Sequence, residues 1–145
     1  MRIAILSDIH GNRTAFEAVL ADLQQTSPDL ILHGGDLADA GASPVEIVDR
    51  IRDLGWKGVL GNTDEMLFRP ESLEEFASQS SAPPSLWTAI RQMAAATRTM
   101  LGEERIALSC SIFLNRYLNL RTGHPRKANR GPLSHKVGRT TAYFI

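Results

Sequence analysis

Short apolar runs alternate with amphipathic segments over the first sixty residues. Runs rich in β-branched residues at 2–7, 30–32 and 58–60 predict three buried strands. Between them, apolar residues recur at spacings of three and four, which predicts two helices that each bury one face. The predicted inward-facing residues are Phe16, Val19, Leu20 and Leu23 in the first helix, and Ile47, Val48, Ile51 and Leu54 in the second.

Polar residues, prolines and glycines mark the ends of these segments. Asn12 is placed to cap the first helix, and Ser27-Pro28 to end it. Pro44 suits the first turn of the second helix, and Gly55 suits its end. The predicted order is β-α-β-α-β, in which strands joined through helices are parallel and the crossovers right-handed. The fold class is therefore α/β.

The pattern after the third strand is helical. Residues 71–78 predict a short helix and residues 79–84 a loop. A longer amphipathic helix follows, and Gly102 interrupts it. Its predicted inward-facing residues are Leu86, Ile90, Met93, Thr97 and Met100 or Leu101.

Charge divides the chain although the net charge is zero. All 16 acidic residues lie within residues 1–105 beside nine basic ones, a net of −7, whereas residues 106–145 carry seven Lys or Arg and no acid, a net of +7. Residues 121–139 are also polar and rich in Gly, Pro and Asn, so they offer little apolar surface to bury. We therefore predict a domain over residues 1–108, followed by a basic tail of uncertain structure over residues 109–145.

Length and composition are typical of one globular domain with its own core. The apolar runs are shorter than the roughly 20 residues that span a bilayer. The N-terminal run is too short for a secretory signal, and the single cysteine, Cys110, cannot form an internal disulfide. We expect a cytoplasmic protein with no membrane partner.

Three glycine-flanked turns carry the candidate chemistry, and each directly follows a predicted strand. In chain order they are residues 8–12 (DIHGN), 34–36 (GGD) and 61–64 (GNTD). Parallel strands end at the same edge of a sheet, where ligands usually bind. The side chains expected to converge at that edge are Asp8, His10, Asp36 and Asn62.

The donor atoms in these turns suit a pair of divalent metal ions. Two such ions about 3.5–4 Å apart activate a water and hold the phosphate oxygens during phosphate-ester hydrolysis. Asp36 lies on the middle connection and is placed to bridge both ions. Asp8 and His10 can hold the first ion, and Asn62 offers a carbonyl oxygen to the second. Mixed oxygen and nitrogen ligands suit Mn²⁺, Fe²⁺, Zn²⁺ or Mg²⁺ alike.

The motifs resemble those of the calcineurin-like metallophosphoesterases, which run D-x-H, then G-D, then G-N. Residues 8–10, 35–36 and 61–62 match them, and residues 7–12 (SDIHGN) resemble the small bacterial phosphodiesterase branch. The resemblance covers about residues 1–108. It implies the N-terminal part of a four-layer αββα sandwich with a dinuclear metal site. It also implies a small-molecule phosphate ester as the substrate.

The chain departs from the family's pattern beside the third motif. Many relatives follow the asparagine with a histidine that assists the leaving group, and Thr63 stands there instead. Asp64 is then a candidate catalytic acid, with an ordinary surface carboxylate in a turn as the alternative. At the end of the second predicted strand, His33 is expected to be a packed, hydrogen-bonded side chain.

A second departure lies downstream, where the family completes its metal site with further histidines, including a Gly-His-x-His motif. Residues 123–126 (GHPR) place Arg126 where the second histidine belongs, so we do not expect His124 to be a ligand. Sequence pattern, charge and resemblance all change near residues 106–110. This coincidence predicts a truncated or frameshifted family member whose domain over residues 1–108 is incomplete.

The leading hypothesis is metal-dependent hydrolysis of phosphate esters, impaired where the later histidines are missing. The alternative is a non-catalytic metal-binding or scaffold module of the same fold, a role that the related retromer subunit exemplifies. A third hypothesis is a nucleic-acid binder that uses the basic tail, since Lys and Arg attract phosphate backbones. The tail has no recognisable binding motif, so we expect no nucleic-acid partner.

Overall fold

The computed structural model describes residues 1–109 and 140–144. The strands of these residues form one parallel sheet in the order β3-β2-β1-β4. The elements, in chain order, are β1 (Ile3–Ser7), α1 (Arg13–Thr26), β2 (Leu30–His33), α2 (Pro44–Asp53), β3 (Lys57–Gly58), α3 (Asn62–Phe68), α4 (Pro70–Gln79), α5 (Pro84–Ser109) and β4 (Thr140–Phe144).

The predicted β-α-β-α-β unit is confirmed, and it packs α1 and α2 on the same face of the sheet. Both connections move in one direction, from β1 to β2 to β3, so right-handed crossovers place both helices on one side. One apolar cluster lies between this face and the two helices. Its buried residues are Ala4, Leu6, Ile9, Phe16, Leu20, Leu23, Leu37, Ile47, Ile51 and Trp56.

Alternation along β1 explains which strand residues enter this cluster. Ala4 and Leu6 are buried, whereas their neighbours Ile3, Ile5 and Ser7 are only half-buried. Successive side chains of a strand point to opposite faces, so only every second residue meets the helices. The sheet therefore presents Ala4 and Leu6 to α1 and α2.

The ends of α1 and α2 follow the predicted signals. The Asn12 side-chain oxygen accepts the N–H of Ala15 at 3.1 Å and caps α1, as expected. Ser27 follows α1 with a left-handed φ of 46°, and Pro44 occupies the first turn of α2. These caps fix where the chain leaves the helices and hence where β2 begins.

Two details of the first three strands and helices differ from the prediction. The third strand covers only Lys57–Gly58 rather than residues 58–60, because the chain turns away from the sheet after Val59 donates its N–H to the His33 carbonyl at 3.1 Å. Leu54 is 36% exposed, although the spacing predicted it inward. Leu54 follows the last residue of α2, so the helical spacing no longer directs it towards the core.

The two helices predicted after β3 are both present, together with one helix that was not predicted. α4 covers the predicted short helix, and α5 covers the predicted long one, which Gly102 interrupts with φ 72° and ψ 157°. α3 is an addition, because residues 61–64 start a helix and not only a turn. α3, α4 and α5 share a second apolar cluster, whose buried residues are Ala38, Val48, Met66, Leu67, Leu73, Ala94, Leu101 and Ile106.

The buried face of α5 matches the predicted one only in part. Thr97 and Leu101, both predicted inward, are buried, and Met100, the alternative to Leu101, is 46% exposed. Leu86 and Met93 are 48% and 37% exposed, and Ala94 is buried next to Met93. Neighbouring positions on a helix lie about 100° apart, so an error of one position moves a side chain to the surface. The prediction that Leu86 and Met93 face inward is wrong.

The predicted irregular tail contains a strand at its end. β4 lies parallel to β1, with Ile3 opposite Thr140 and Ser7 opposite Phe144. Residues 110–139, including His124, lie outside the described residues, and the domain boundary at residue 108 stays a prediction. Across residues 1–109 and 140–144, none of the helices has the length and apolar content needed to cross a bilayer.

The contact between Phe16 and Trp56 gives a test of the first cluster. Their rings meet edge to face with centroids 6.0 Å apart, and Phe16 is 1% exposed. We expect Phe16→Ala to lower the free energy of unfolding by about 3–5 kcal/mol, because it leaves a cavity in the core. Phe76→Ala is the matched control, since Phe76 is 41% exposed on α4. Urea denaturation measures both, and equal losses would contradict this packing.

Candidate metal centre

Three of the predicted ligands meet at the carboxyl edge of the sheet. Each of Asp8, His10 and Asp36 offers a ligand atom, and these atoms all lie within 4.8 Å of one another. Asp8 follows β1 directly, and Asp36 lies three residues beyond the end of β2. The convergence follows from the parallel order of β1 and β2, as the sequence predicts.

Backbone hydrogen bonds join the first two turns to each other. The N–H of Asp8 donates to the Gly35 carbonyl at 3.1 Å, and the N–H of His10 donates to the Asp36 carbonyl at 2.9 Å. These bonds continue the pairing of β1 with β2 beyond the strands. The two turns therefore form one unit and do not move independently.

All three clustered ligands have a left-handed backbone conformation. The φ angles are 61° at Asp8, 48° at His10 and 55° at Asp36. For residues other than glycine this conformation costs roughly 1–2 kcal/mol each. Such strain persists only where surrounding contacts hold it, and it is concentrated at functional sites. Among the described residues, Ser27 and Ala40 also have positive φ, so the three motif residues are three of five such non-glycine positions.

A backbone carbonyl lies behind the His10 ring. Nδ1 of His10 lies 3.2 Å from the backbone carbonyl of Asp39. A carbonyl only accepts, so Nδ1 is the donor in this contact. Nε2 lies 3.9 Å from Asp8 Oδ1, with both side chains partly exposed. This is the arrangement by which metal-binding histidines are oriented in proteins.

The donor set of these residues fits a divalent metal ion. Two carboxylates and one imidazole provide the mixed oxygen and nitrogen ligands that Mn²⁺, Fe²⁺ and Zn²⁺ accept. Donor atoms that each lie about 2.0–2.2 Å from one ion are at most about 4.4 Å apart. The 3.9 Å between His10 Nε2 and Asp8 Oδ1 is within that span, and the three ligand atoms together lie within 4.8 Å, so a small shift of one side chain brings all three to one ion.

Thr63 fixes the side chain of Asp36. The Thr63 hydroxyl donates to Asp36 Oδ1 at 2.8 Å, and the Thr63 N–H donates to the same oxygen at 2.9 Å. Thr63 lies in the first turn of α3, so the third glycine-flanked turn holds Asp36, the candidate ligand of the second. In the sequence, Thr63 is marked only as a departure from the family's pattern.

Gly61 allows this close approach of the third turn to the second. A Cβ at Gly61 would lie 2.6 Å from Asp36 Cγ and still closer to the Asp36 backbone nitrogen. The φ of Gly61 is −81°, so the need for glycine here is purely steric. Asn62 is exposed. Its two neighbours in the chain, Gly61 and Thr63, both contact Asp36. Its role as a ligand stays a prediction.

Asp64 lies inside the protein, so the surface-turn alternative is wrong. Its side chain is 1% exposed and accepts three backbone N–H groups, from Asp36 at 2.7 Å, Leu37 at 2.9 Å and Gly61 at 3.1 Å. Burial raises the pKa of the Asp64 carboxyl, while the three N–H donors act in the opposite direction. An acid at the third position of a helix is a capping signal, and that signal was present in the sequence.

Two further polar residues, one in β2 and one in the loop after it, are buried. His33 is 2% exposed and its ring packs against Gly58 of β3, which confirms that it is a packed side chain. Asp39 is 3% exposed, and its carboxylate accepts a hydrogen bond from the Thr97 hydroxyl of α5 at 3.3 Å. Asp39 therefore links α5 to the carbonyl that orients His10. No sequence signal marks a backbone carbonyl in this role.

Comparison with known proteins agrees with the motifs. The family model described as calcineurin-like phosphoesterase matches residues 1–121. The crystal structure of a metallophosphoesterase from Sphaerobacter thermophilus is similar, with a TM-score of 0.54 and 29% identity over 76% of this chain and 40% of that one. The uncharacterized protein MJ0912 of Methanocaldococcus jannaschii is 42% identical over 86 residues.

The chain is much shorter than these relatives. The match to the M. jannaschii protein covers 59% of this chain and 35% of that protein. The chain thus spans about a third of one relative and two fifths of the other. The match to the family model, over residues 1–121, includes the three turns of the candidate site.

The steric role of Gly61 is tested by Gly61→Ala. We expect the added methyl group to displace Asp36 and weaken Mn²⁺ binding at least about tenfold, as loss of an outer-shell partner does. Gly55→Ala is the matched control: Gly55 has φ 68° and open space around it, so alanine there strains the backbone far from the site. Isothermal titration with Mn²⁺ measures both. Equal affinities for the two variants would contradict the steric role.

Proposed function

The chain belongs to the calcineurin-like phosphoesterase family, and on this basis we propose that it is a metal-dependent hydrolase of small-molecule phosphate esters. The observation that supports the proposal most is the cluster of Asp8, His10 and Asp36, whose ligand atoms lie within 4.8 Å of one another. The proposed metal ligands are Asp8, His10, Asp36 and Asn62.

The chain's own residues would hold the metal in a prepared site. Asp8 and His10 are half-buried, so their donor atoms are open to solvent on one side and supported by protein on the other. The Asp39 carbonyl orients the His10 ring through Nδ1, and the Thr63 hydroxyl holds the Asp36 side chain. When bound, divalent metal supplies a water of lowered pKa and polarises the phosphate oxygens.

A groove beside His10 is the proposed position of the organic part of the substrate. It has a volume of about 380 Å³ and lies between residues 9–14 and residues 40–43. Its volume lies within the range of small-molecule sites. We propose a phosphodiester or phosphomonoester of a small molecule as the substrate, with two divalent ions as cofactors and Mn²⁺ as the first metal to test. We also propose that the protein is located in the cytoplasm.

Metal binding without turnover is the second candidate function. The described residues bring together three ligand groups that one ion can share, and the two histidines that follow His33 in the chain, His124 and His135, lie outside the described residues. A site of this kind would hold a metal in a non-catalytic or scaffold module. The two candidates differ in hydrolysis and agree in metal binding.

The proposed phosphoesterase activity is tested by measuring hydrolysis of bis-p-nitrophenyl phosphate with added Mn²⁺. We expect a metal-dependent rate that Asp36→Asn lowers at least about 100-fold, more than an outer-shell change costs, because it removes a ligand charge. Asp29→Asn is the matched control: Asp29 accepts the N–H of Arg2 at the opposite end of the sheet, so the rate should not change.

Two results would decide against the enzyme. A folded chain that binds Mn²⁺ but hydrolyses nothing with Mn²⁺, Fe²⁺, Zn²⁺ or Mg²⁺ would support the non-catalytic module. A folded chain that binds none of these ions would contradict both candidate functions.

A further inference from the structure

We propose that Asp64 is a positioning residue, whose carboxylate holds Asp36 in the backbone conformation that directs its side chain to the metal. The inference rests on the proposed function, because it assigns a role within the same site. It replaces the expectation that Asp64 donates a proton to the leaving group.

Asp36 needs such a partner because its conformation is unfavourable by itself. Its φ is 55°, in the region where residues other than glycine lose roughly 1–2 kcal/mol. Glycine would adopt this conformation without strain, but it would remove the ligand. Contacts from elsewhere must therefore hold the backbone here.

The Asp64 carboxylate supplies these contacts on both sides of Asp36. One oxygen accepts the N–H of Asp36 at 2.7 Å, and the other accepts the N–H of Leu37 at 2.9 Å. These N–H groups belong to the peptides before and after the Asp36 Cα. Successive N–H groups that converge on one anion form a nest, which restricts the conformation of the residue between them.

The same carboxylate joins the second turn to the third. It accepts the N–H of Gly61 at 3.1 Å, in the turn that also contains Asn62 and Thr63. Thr63 in turn holds the Asp36 side chain through Oδ1. Asp64 therefore secures the backbone of Asp36, and Thr63 secures its side chain.

Burial makes these hydrogen bonds costly to lose. Asp64 is 1% exposed, so water does not take its place when it is removed. Buried N–H groups without a partner are unfavourable, because they have lost their hydrogen bonds to water and gained none in return. Asparagine is nearly isosteric, but it presents an NH₂ group to at least one of the three N–H donors. Asp64→Asn therefore disturbs the backbone of Asp36 while it changes the volume little.

An acid role predicts a different pattern from a positioning role. A proton donor has to reach the leaving group of the substrate. Both oxygens of Asp64 are bonded to backbone N–H groups, and the side chain is closed to solvent. Substitution of a positioning residue weakens metal binding, whereas substitution of a catalytic acid that does not contact the metal site lowers turnover alone.

The test is the affinity of Asp64→Asn for Mn²⁺, measured by isothermal titration on the full chain. We expect at least about tenfold weaker binding than in the wild type, in the range of outer-shell losses. Asp29→Asn, the same chemical change at the opposite end of the sheet, should bind as the wild type does. Unchanged affinity in Asp64→Asn, with hydrolysis lost, would overturn the inference and restore the acid role.

Amide hydrogen exchange of the wild type tests the contact itself, and it decides the matter if Asp64→Asn does not fold. We expect slow exchange for the N–H groups of Asp36 and Leu37, although both lie outside helices and strands. Rates like those of open loops would overturn the inference. A wild-type chain that shows slow exchange but binds none of Mn²⁺, Fe²⁺, Zn²⁺ and Mg²⁺ would refute the proposed function and leave the hold of Asp64 on Asp36 intact.

Discussion

Hydrogen bonds between three turns hold the candidate ligands in a conformation that they would not adopt alone. Asp8, His10 and Asp36 have φ angles between 48° and 61°. The summed cost, about 3–6 kcal/mol at roughly 1–2 kcal/mol per residue, is comparable to much of a domain's net stability. The chain meets this cost with bonds from the neighbouring turns, including those to the carboxylate of Asp64.

The sheet makes these bonds possible because it brings three distant segments to one edge. Parallel pairing aligns the ends of β1, β2 and β3, and the cluster under α1 and α2 fixes that alignment. Glycine then lets the backbones approach, most closely at Gly61 against Asp36. The site is thus shaped by the protein itself, which is consistent with the proposed metal centre.

Sequence predicted the features that depend on local pattern and on general rules of topology. The β-α-β-α-β order along the chain, the cap of α1 and the meeting of the first two turns follow from the hydrophobic period, Asn12 and the parallel connections. The prediction failed where tertiary contacts decide, at the exposed Leu86 and Met93 of α5 and at the buried Asp64. The Asp39 carbonyl behind His10 was beyond prediction, because every residue carries the same carbonyl.

The three turns place the side chains of Asp8, His10 and Asp36 around one position for a metal ion. A crystal of the full chain, soaked in MnCl₂ and measured at the manganese absorption edge, is the most direct test of this placement. We expect an anomalous peak coordinated by these three residues, with their left-handed backbone unchanged. A peak only at other residues, or no peak in a crystal that keeps this fold, would contradict it.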